Sequence, residues 1–323
     1  MNESAMSKPI ITILTPVYNE EQSLPYYVEA LTQTLFTQNR YDFRVLFVED
    51  GSTDQSWKIL CKICEDPRFQ AIRLSRNFGP HAALSAGLQF SESDAVATLA
   101  CDLQDPPQVI LEFLEKWEQG ARIVWGARRS RQDPKWRILA SRVFHALVQR
   151  FAMPKGVKFT TGSFFLLDRR VVECFHQFQE HNRITFALVA WTGFEQEVVS
   201  YDRLQRIAGV SGWTLGRMIK SMYDTFLGFS HLPIRLMTSL GLGMSALTLP
   251  LSFYLVITWM LGNPAPGWTS LILGMVFFFG IQFLLMGVVG EYLHRIYLEV
   301  VRRPLFFIQD ETQSFRTQDK KAA

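Results

Sequence analysis

The chain has 323 residues, of which 48% are hydrophobic and 20% are charged, and its formal net charge is +3. This length is enough for one large domain or two smaller ones. So small a net charge does not suggest a nucleic-acid-binding protein, because such proteins carry a strong basic excess. The charges are also unevenly spread, since no Asp, Glu, Lys, Arg or His occurs from residue 236 to residue 290.

The first part of the chain alternates short apolar runs with helix-like segments. The predicted strands are 10–14, 43–48, 69–74, 95–101 and 122–126, and the predicted helices are 23–38, 55–64, 81–90 and 108–119. Strands that alternate with helices imply a parallel sheet with right-handed crossovers. The sequence therefore predicts an α/β domain with a mostly parallel sheet.

Acidic residues follow three of these strands closely. Glu20 follows the first strand, Asp50 the second and Asp102 the fourth. The carboxyl ends of parallel strands meet at one edge of the sheet, where ligands bind in open α/β folds. A helix cap is the structural alternative for any one of them, because Asp favours that position. Three together favour a nucleotide site.

The segment after the fourth strand carries two carboxylates and an amide oxygen, on Asp102, Gln104 and Asp105. A Pro-Pro pair then ends the extended segment and opens a helix, because proline has no N–H to donate. A hard divalent cation takes oxygen ligands, commonly one or two carboxylates together with substrate phosphates. The pattern is typical of a site for a metal and a diphosphate, and an Asp-Pro turn with a helix cap is the alternative.

The uncharged stretch is long enough to cross a membrane twice, since each crossing needs about 20 residues. A Gly- and Pro-rich segment divides it and predicts two transmembrane helices at 236–261 and 268–290. Basic residues flank the pair on both sides, whereas the connecting loop has no charge. By the positive-inside rule, the α/β domain and both termini are expected in the cytoplasm. The sequence thus predicts a multi-pass protein of the cytoplasmic membrane.

Two further segments, 136–152 and 213–234, have apolar residues at helical spacing. A helix that faces an ordinary core is the usual explanation of such a pattern. Beside a transmembrane hairpin, basic amphipathic helices are instead expected to lie in the membrane interface.

The segments 16–20, 49–54, 76–79 and 102–107 resemble the motifs of family 2 glycosyltransferases, which have the GT-A fold. The chain is similar to the polyprenyl-phosphate glycosyltransferases of that family, such as the bactoprenol glucosyltransferases and dolichol-phosphate mannose synthase. The resemblance covers nearly the whole chain. The expected domains are a GT-A catalytic domain at 1–212, an interfacial helix at 213–234, two transmembrane helices within 235–291 and a cytoplasmic tail at 292–323.

The resemblance implies that a nucleotide binds at the ends of the first three strands. The residues implied in nucleotide binding are Pro16, Tyr18, Glu20, Asp50 and Asn77.

The resemblance also implies a Mg2+ or Mn2+ cofactor, with Asp102 as a catalytic residue. Asp102 and Gln104 match metal-binding positions of the family, whereas its first Asp is Ala100 here. Asp102 would then be the only acidic metal ligand, or Asp105 or a water molecule would complete the coordination.

The segment that contains Arg128 resembles the family's phosphate-binding segment. The planar guanidinium of arginine matches the geometry of phosphate. Arg128 is therefore expected to be catalytic and to hold the acceptor phosphate, with Arg137 as its partner.

The implied reaction is inverting sugar transfer from a nucleotide-sugar, expected to be UDP-glucose, to a polyprenyl phosphate such as undecaprenyl phosphate. GDP-mannose or a modified sugar is the alternative donor, because Pro80, Ser163 and Gly212 depart from the family pattern. A non-catalytic membrane subunit of a glycan assembly complex is a second alternative. Whether the chain forms a homo-oligomer is left open.

Overall fold

The computed structural model describes residues 8–129, 162–181, 183–205, 232–261 and 267–312, together with 146, 149 and 150. The strands are β1 Ile10–Val17, β2 Asp42–Glu49, β3 Phe69–Leu74, β4 Ala95–Thr98, β5 Ile123–Arg128, β6 Phe165–Asp168, β7 Gln196–Tyr201 and β8 Ile308–Glu311. The helices are α1 Leu24–Thr34, α2 Ser56–Ile63, α3 Pro80–Phe90, α4 Val109–Glu118, α5 Arg169–Phe175, α6 Thr185–Trp191, α7 Leu232–Met260 and α8 Trp268–Val301.

The eight strands form one sheet in the order β7-β5-β6-β4-β1-β2-β3-β8. β4, β1, β2 and β3 pair in parallel, as do β5 and β7. β6 is antiparallel to both β4 and β5, and β8 is antiparallel to β3. The predicted α/β class is confirmed, and the sheet is mixed because β6 and β8 run against their neighbours.

The middle of the sheet is buried on both faces, which explains the continuous apolar runs in its strands. In β1, Ile11 and Ile13 belong to the core on the face covered by α1, α2 and α4. Leu14 belongs to the core on the opposite face, which α3, α5 and α6 cover. Alternate side chains of a strand point to opposite faces, so a single strand contributes to both cores.

The fourth strand is three residues shorter than predicted and ends at Thr98. The Thr98 hydroxyl donates to the carbonyl of Ser163 (2.6 Å) and accepts from the amide of Phe165 (3.1 Å). Beyond it the chain turns, and Leu103 adopts a left-handed conformation with φ of 52°. The apolar run 99–101 therefore reflects the burial of Leu99 and Cys101 in the core beyond the strand rather than a longer strand.

The two predicted transmembrane segments fall within α7 and α8. α8 continues to Val301 instead of ending near Gly290. No Gly or Pro interrupts residues 291–301, and Glu291 pairs with Arg295 one turn later (3.1 Å). Among the residues the structure describes, one stretch, Phe277–Val301, is long and apolar enough to cross a membrane.

The predicted tail at 292–323 is not a separate segment. Its first residues complete α8, and β8 then pairs with β3, placing Glu311 opposite Ile72. The amide of Ser75 also donates to the carbonyl of Phe307 (2.9 Å). The chain therefore returns to the edge of the sheet after α8. The predicted interfacial helices at 136–152 and 213–234 lie almost wholly outside the described residues.

Candidate active site

The loops that follow β1 and β2 are hydrogen-bonded to each other. The amide of Asn19 donates to the Ser52 hydroxyl (3.0 Å), and the Asn19 side chain accepts from the amide of Thr53 (2.9 Å). The amide of Glu20 donates to the Ser56 hydroxyl (3.0 Å). The two strand ends are thus fixed relative to each other before any ligand binds.

Three of the sequence-predicted nucleotide residues lie at the end of β1 or on the loop that follows it. Pro16 is at the end of β1, and Tyr18 is 46% exposed just beyond it. The Glu20 carboxylate accepts from the Ser23 hydroxyl (2.7 Å) at the start of α1. The exposed Tyr18 ring offers an open surface at this edge of the sheet.

Asp50 is buried and holds the loop that follows β3. One carboxylate oxygen accepts from the amide of Phe78 (2.7 Å) and the other from the amide of Gly79 (2.9 Å). Burial raises the pKa of Asp50, although these two hydrogen bonds favour the carboxylate. Asn77 is exposed within the same loop. Asp50 therefore fixes the backbone beside Asn77.

Gly51 is required for this arrangement. Its φ is +66°, and a Cβ at this position would lie 2.4 Å from the carbonyl carbon of Arg76. Any other residue would collide with the backbone of the loop that Asp50 holds. The close approach explains why glycine follows the buried carboxylate.

Asp102 and Gln104 lie in the turn after β4. The Asp102 carboxylate is partly exposed and accepts from the amide of Gln104 (3.2 Å). The Gln104 side-chain oxygen accepts from the guanidinium of Arg203, and its backbone carbonyl accepts from the amide of Leu204 (2.9 Å). The turn is thereby attached to the chain that follows β7.

Asp105 is buried and faces the ends of β5 and β7. Its carboxylate accepts from the Tyr201 hydroxyl and lies 3.6 Å from an Arg128 nitrogen. The Arg128 Nε also lies 3.5 Å from the Tyr201 hydroxyl. These contacts link the turn that contains Asp102 to the end of β5, where the predicted phosphate-binding residue Arg128 lies.

The electrostatics of this cluster keep Arg128 charged. Burial opposes the charged form, but the Asp105 carboxylate and the Tyr201 hydroxyl outweigh it and raise the pKa of Arg128. Burial and the Asp105 carboxylate together raise the pKa of Tyr201. The cluster therefore contains a neutral phenol between a carboxylate and a guanidinium at neutral pH. The Arg128 side chain is 36% exposed, so it can still meet a ligand.

The structure brings Asp102, Gln104, Asp105 and Arg128 together at one end of the sheet. Asp50 lies two strands away from Asp102, which corresponds to roughly 10 Å. Arg137 lies outside the described residues. Tyr201 and Arg203 were not predicted from the sequence. The available signal for Tyr201 was the alternation of Val199 and Tyr201 with the polar Ser200, which is typical of a strand.

The side-chain oxygens of Asp102, Gln104 and Asp105 supply only part of the ligand set that a divalent ion needs. No group of three or more His, Cys, Asp or Glu that could hold a metal occurs within the described part of the chain. Gln104 and Asp105 are already hydrogen-bonded to Arg203 and Tyr201. Mg2+ is commonly held by one or two carboxylates plus substrate phosphates, so Asp102 with a bound diphosphate matches that requirement.

Comparison with known proteins identifies the family of this chain. The family model of Glycosyl transferase family 2 matches residues 12–175. The chain is 37% identical over 303 residues to an uncharacterized glycosyltransferase of Synechocystis sp., which covers 93% of this chain and 95% of that protein. It is 33% identical over 310 residues to the bactoprenol glucosyl transferase of Shigella phage SfV, covering 94% and 99% of the two chains.

Among solved structures, the fold is similar to a mannosyltransferase from Pyrobaculum calidifontis in complex with GDP-Man and Mn2+. The TM-score is 0.48 at 16% sequence identity, and the match covers 69% of this chain and 64% of that one. The family model spans the strands that carry Asp50, Asp102 and Arg128, and the two relatives match almost end to end. This chain therefore belongs to glycosyl transferase family 2 and is a glycosyltransferase.

Proposed function

We propose that the protein transfers a sugar from a nucleotide-sugar to a polyprenyl phosphate at the cytoplasmic face of the membrane. The observation that carries this proposal is that Asp102 and the Asp105–Arg128 pair lie at one sheet edge in a chain that also has a long, exposed apolar helix. Full-length similarity to a protein named bactoprenol glucosyl transferase supports the lipid acceptor and glucose as the transferred sugar. UDP-glucose is the donor in this proposal.

The nucleotide would lie along the ends of β1, β2 and β3. Asp50 fixes the loop that contains Asn77, and the hydrogen-bonded loops of β1 and β2 fix Tyr18 and Glu20. These contacts exist before binding, so little ordering entropy would oppose the donor. Its diphosphate would extend from this region toward Asp102.

Asp102 would hold Mg2+ or Mn2+ together with the donor diphosphate. When bound, the ion would neutralise the charge that develops on the leaving nucleoside diphosphate. Asp105 is better suited to positioning, because its carboxylate is buried against Tyr201 and Arg128. The chain itself would contribute the Asp102 carboxylate and the turn that orients it.

Arg128 would orient the acceptor phosphate. A phosphate oxygen forms a bond to the anomeric carbon while the bond from that carbon to the nucleoside diphosphate breaks, which inverts the configuration. A phosphate monoester is largely ionised near pH 7, because its second pKa is about 6. A strong general base is therefore not needed, and orientation and charge stabilisation supply most of the rate.

A two-span hairpin would bring the lipid to this site. α7 has 29 residues and α8 has 34, so each exceeds the roughly 20 residues that one crossing needs. The pairing of β8 with β3 supports a location of the catalytic domain and the segment after α8 on the same side of the membrane. We also propose that the segments 136–152 and 213–234 lie in the membrane interface. Arg137 is the proposed partner of Arg128 at the acceptor phosphate.

The test uses the purified full-length chain in detergent or nanodiscs. UDP-glucose and GDP-mannose are each incubated with undecaprenyl phosphate and Mg2+, and both the nucleoside diphosphate and the glycolipid are measured. We expect lipid-dependent release of UDP that matches the amount of glucosyl lipid. Release of nucleoside diphosphate without any glycolipid would contradict the proposal, because the sugar would then pass to water. No release with either nucleotide-sugar would also contradict it and would favour a non-catalytic subunit.

A further inference from the structure

A cavity of about 520 Å³ lies between the start of α3, the loop before α6 and the segment that follows α8. Its lining includes three arginines and two histidines but no acidic residue. The rest of the lining is mainly apolar and includes the rings of Phe78 and Phe307, whose centroids are 6.5 Å apart. A cavity of this kind suits an anionic group attached to an apolar body.

Two of the three arginines supply the usable positive charge. Arg183 is fixed by the carbonyls of Glu180 (2.9 Å) and Phe178, and the carboxylates of Glu180 and Glu299 partly balance its charge. Arg76 lies over the Phe78 ring at 4.0 Å, and Arg303 is exposed in the segment that follows α8. Within the described part of the chain, no ion pair involves Arg76 or Arg303, and the Arg76 guanidinium donates to the carbonyl of Asn77 (3.2 Å).

The histidines add little charge. Burial lowers the pKa of His81 to about 4, so its ring is neutral at physiological pH. Its Nδ1 lies 3.3 Å from the Thr185 hydroxyl. The amide of His181 donates to the Glu299 carboxylate (2.8 Å), which ties this wall of the cavity to the last turn of α8.

The last turns of α8 suggest that the cavity lies at the level of the lipid headgroups. Leu293, Ile296, Tyr297 and Val300 are between 57% and 73% exposed. Their spacing places them on one side of the helix, directly before the two arginines at its end. An exposed apolar stripe followed by basic residues is expected where a transmembrane helix leaves the bilayer.

The cavity is separate from the acceptor site. It lies at the β3 edge of the sheet, whereas Arg128 ends β5. Five strand spacings separate β3 from β5, which corresponds to roughly 24 Å. A phosphate bound beside Arg303 would therefore be a different phosphate from the one that reacts.

We propose that this cavity binds the phosphate headgroup of an anionic membrane phospholipid, with Arg76 and Arg303 as its cationic contacts. The bound lipid would lie between the loop that Asp50 holds and the segment that pairs with β3. It would thereby fix the catalytic domain at the membrane surface without taking part in sugar transfer.

The experiment measures binding of short-chain phosphatidylglycerol to the full-length protein in detergent, by calorimetry and native mass spectrometry. Arg303→Gln and Arg76→Gln are compared with Arg302→Gln, an exposed neighbour that does not line the cavity. Loss of one charge-assisted hydrogen bond should weaken binding about tenfold or more in the first two variants. Arg302→Gln should change it less than twofold.

Three results would overturn the inference. They are equal loss in all three variants, equal binding of short-chain phosphatidylcholine, and binding of inorganic phosphate as tight as that of the lipid. The first would indicate a diffuse basic surface, the second a lipid contact that does not depend on charge, and the third a site for free phosphate. The measurement is independent of sugar transfer, so an inactive enzyme would not affect its outcome.

Discussion

At the scale of single residues, the site depends on side chains whose charges are neutralised by buried partners. Asp105 is 4% exposed and lies against Arg128 and Tyr201, whereas Asp102 remains partly open. Two carboxylates three residues apart thus have different surroundings. The buried one lies against the arginine, and the more exposed one is the proposed metal ligand.

Arg128→Ala should lower sugar transfer by about tenfold to a few hundredfold, because a charge-assisted hydrogen bond contributes roughly 1.5–3 kcal/mol. Arg128→Lys should restore only part of the rate, since lysine keeps the charge but loses the planar fork. The measurement is the initial rate against polyprenyl-phosphate concentration, with nucleotide affinity by calorimetry. Arg129→Ala is the control, because Arg129 is exposed and pairs with the exposed Asp202.

An equal loss of nucleotide binding and of transfer in Arg128→Ala would assign Arg128 to the donor diphosphate. The acceptor site would then have to lie elsewhere.

Asp102→Asn should abolish transfer while the fold stays intact, and EDTA should do the same to the unchanged protein. Asp105→Asn should have a smaller effect, because its partners Tyr201 and Arg128 can still hydrogen-bond to an amide oxygen. Rates with added Mg2+ or Mn2+ and circular dichroism check both variants. Full activity of Asp102→Asn, or in EDTA, would rule out the metal assignment.

At the scale of elements, backbone contacts between strand ends fix the proposed nucleotide site. β2 ends in a buried carboxylate and a left-handed glycine, and the loop after β3 packs directly against both. The geometry of one strand end is therefore set by the next strand in the sheet. A substitution that changes the conformation of one loop should therefore also change that of the neighbouring loop.

Gly51→Ala should destabilise the domain and weaken nucleotide binding, because its Cβ would lie 2.4 Å from the backbone of Arg76. Gly120→Ala is a matched control, since Gly120 also has positive φ (+109°) but nothing lies within 4 Å of the added Cβ. The control should lose only about 1–2 kcal/mol of stability from the left-handed backbone. Melting temperature and calorimetric nucleotide affinity are compared in the two variants. Unchanged nucleotide affinity in Gly51→Ala would show that the loop is not part of the site.

The elements that could be predicted are those with strong local patterns. β1, β2 and β4 lie in apolar runs, and the acidic residues that follow β2 and β4 led directly to Asp50 and Asp102. β6 and β8 have four residues each, and their strand character depends on pairing with β4, β5 and β3. Tyr201 was missed for the same reason, because its role depends on a distant carboxylate rather than on a local motif.

At the scale of the whole molecule, the catalytic sheet and the apolar helices are joined at two places along the chain. The segment 206–231 leads from the domain into α7, and the residues after α8 return to β3. A hairpin that starts and ends at one domain must have both of its ends on one side of the membrane.

A cysteine placed at Ala265 should be labelled from the side opposite a cysteine placed at Gln309, in sealed vesicles and in a Cys61→Ser background. Cys61 is replaced because it is exposed. Ala265 lies in the predicted loop between the two helices, whereas Gln309 is exposed on β8. Labelling of both cysteines from the same side would rule out the two-span hairpin.

The pairing of β8 with β3 also bears on how the chain is synthesised. Domains generally fold from the N-terminal side as the ribosome adds residues at about 5–20 per second. β3 is complete after residue 74, yet its edge partner is only translated near residue 310. The open edge of β3 is a template for wrong pairing during that interval. Correct completion of the sheet must therefore wait until α7 and α8 have left the ribosome, so the proposed insertion of these helices into the membrane would begin before the sheet is complete.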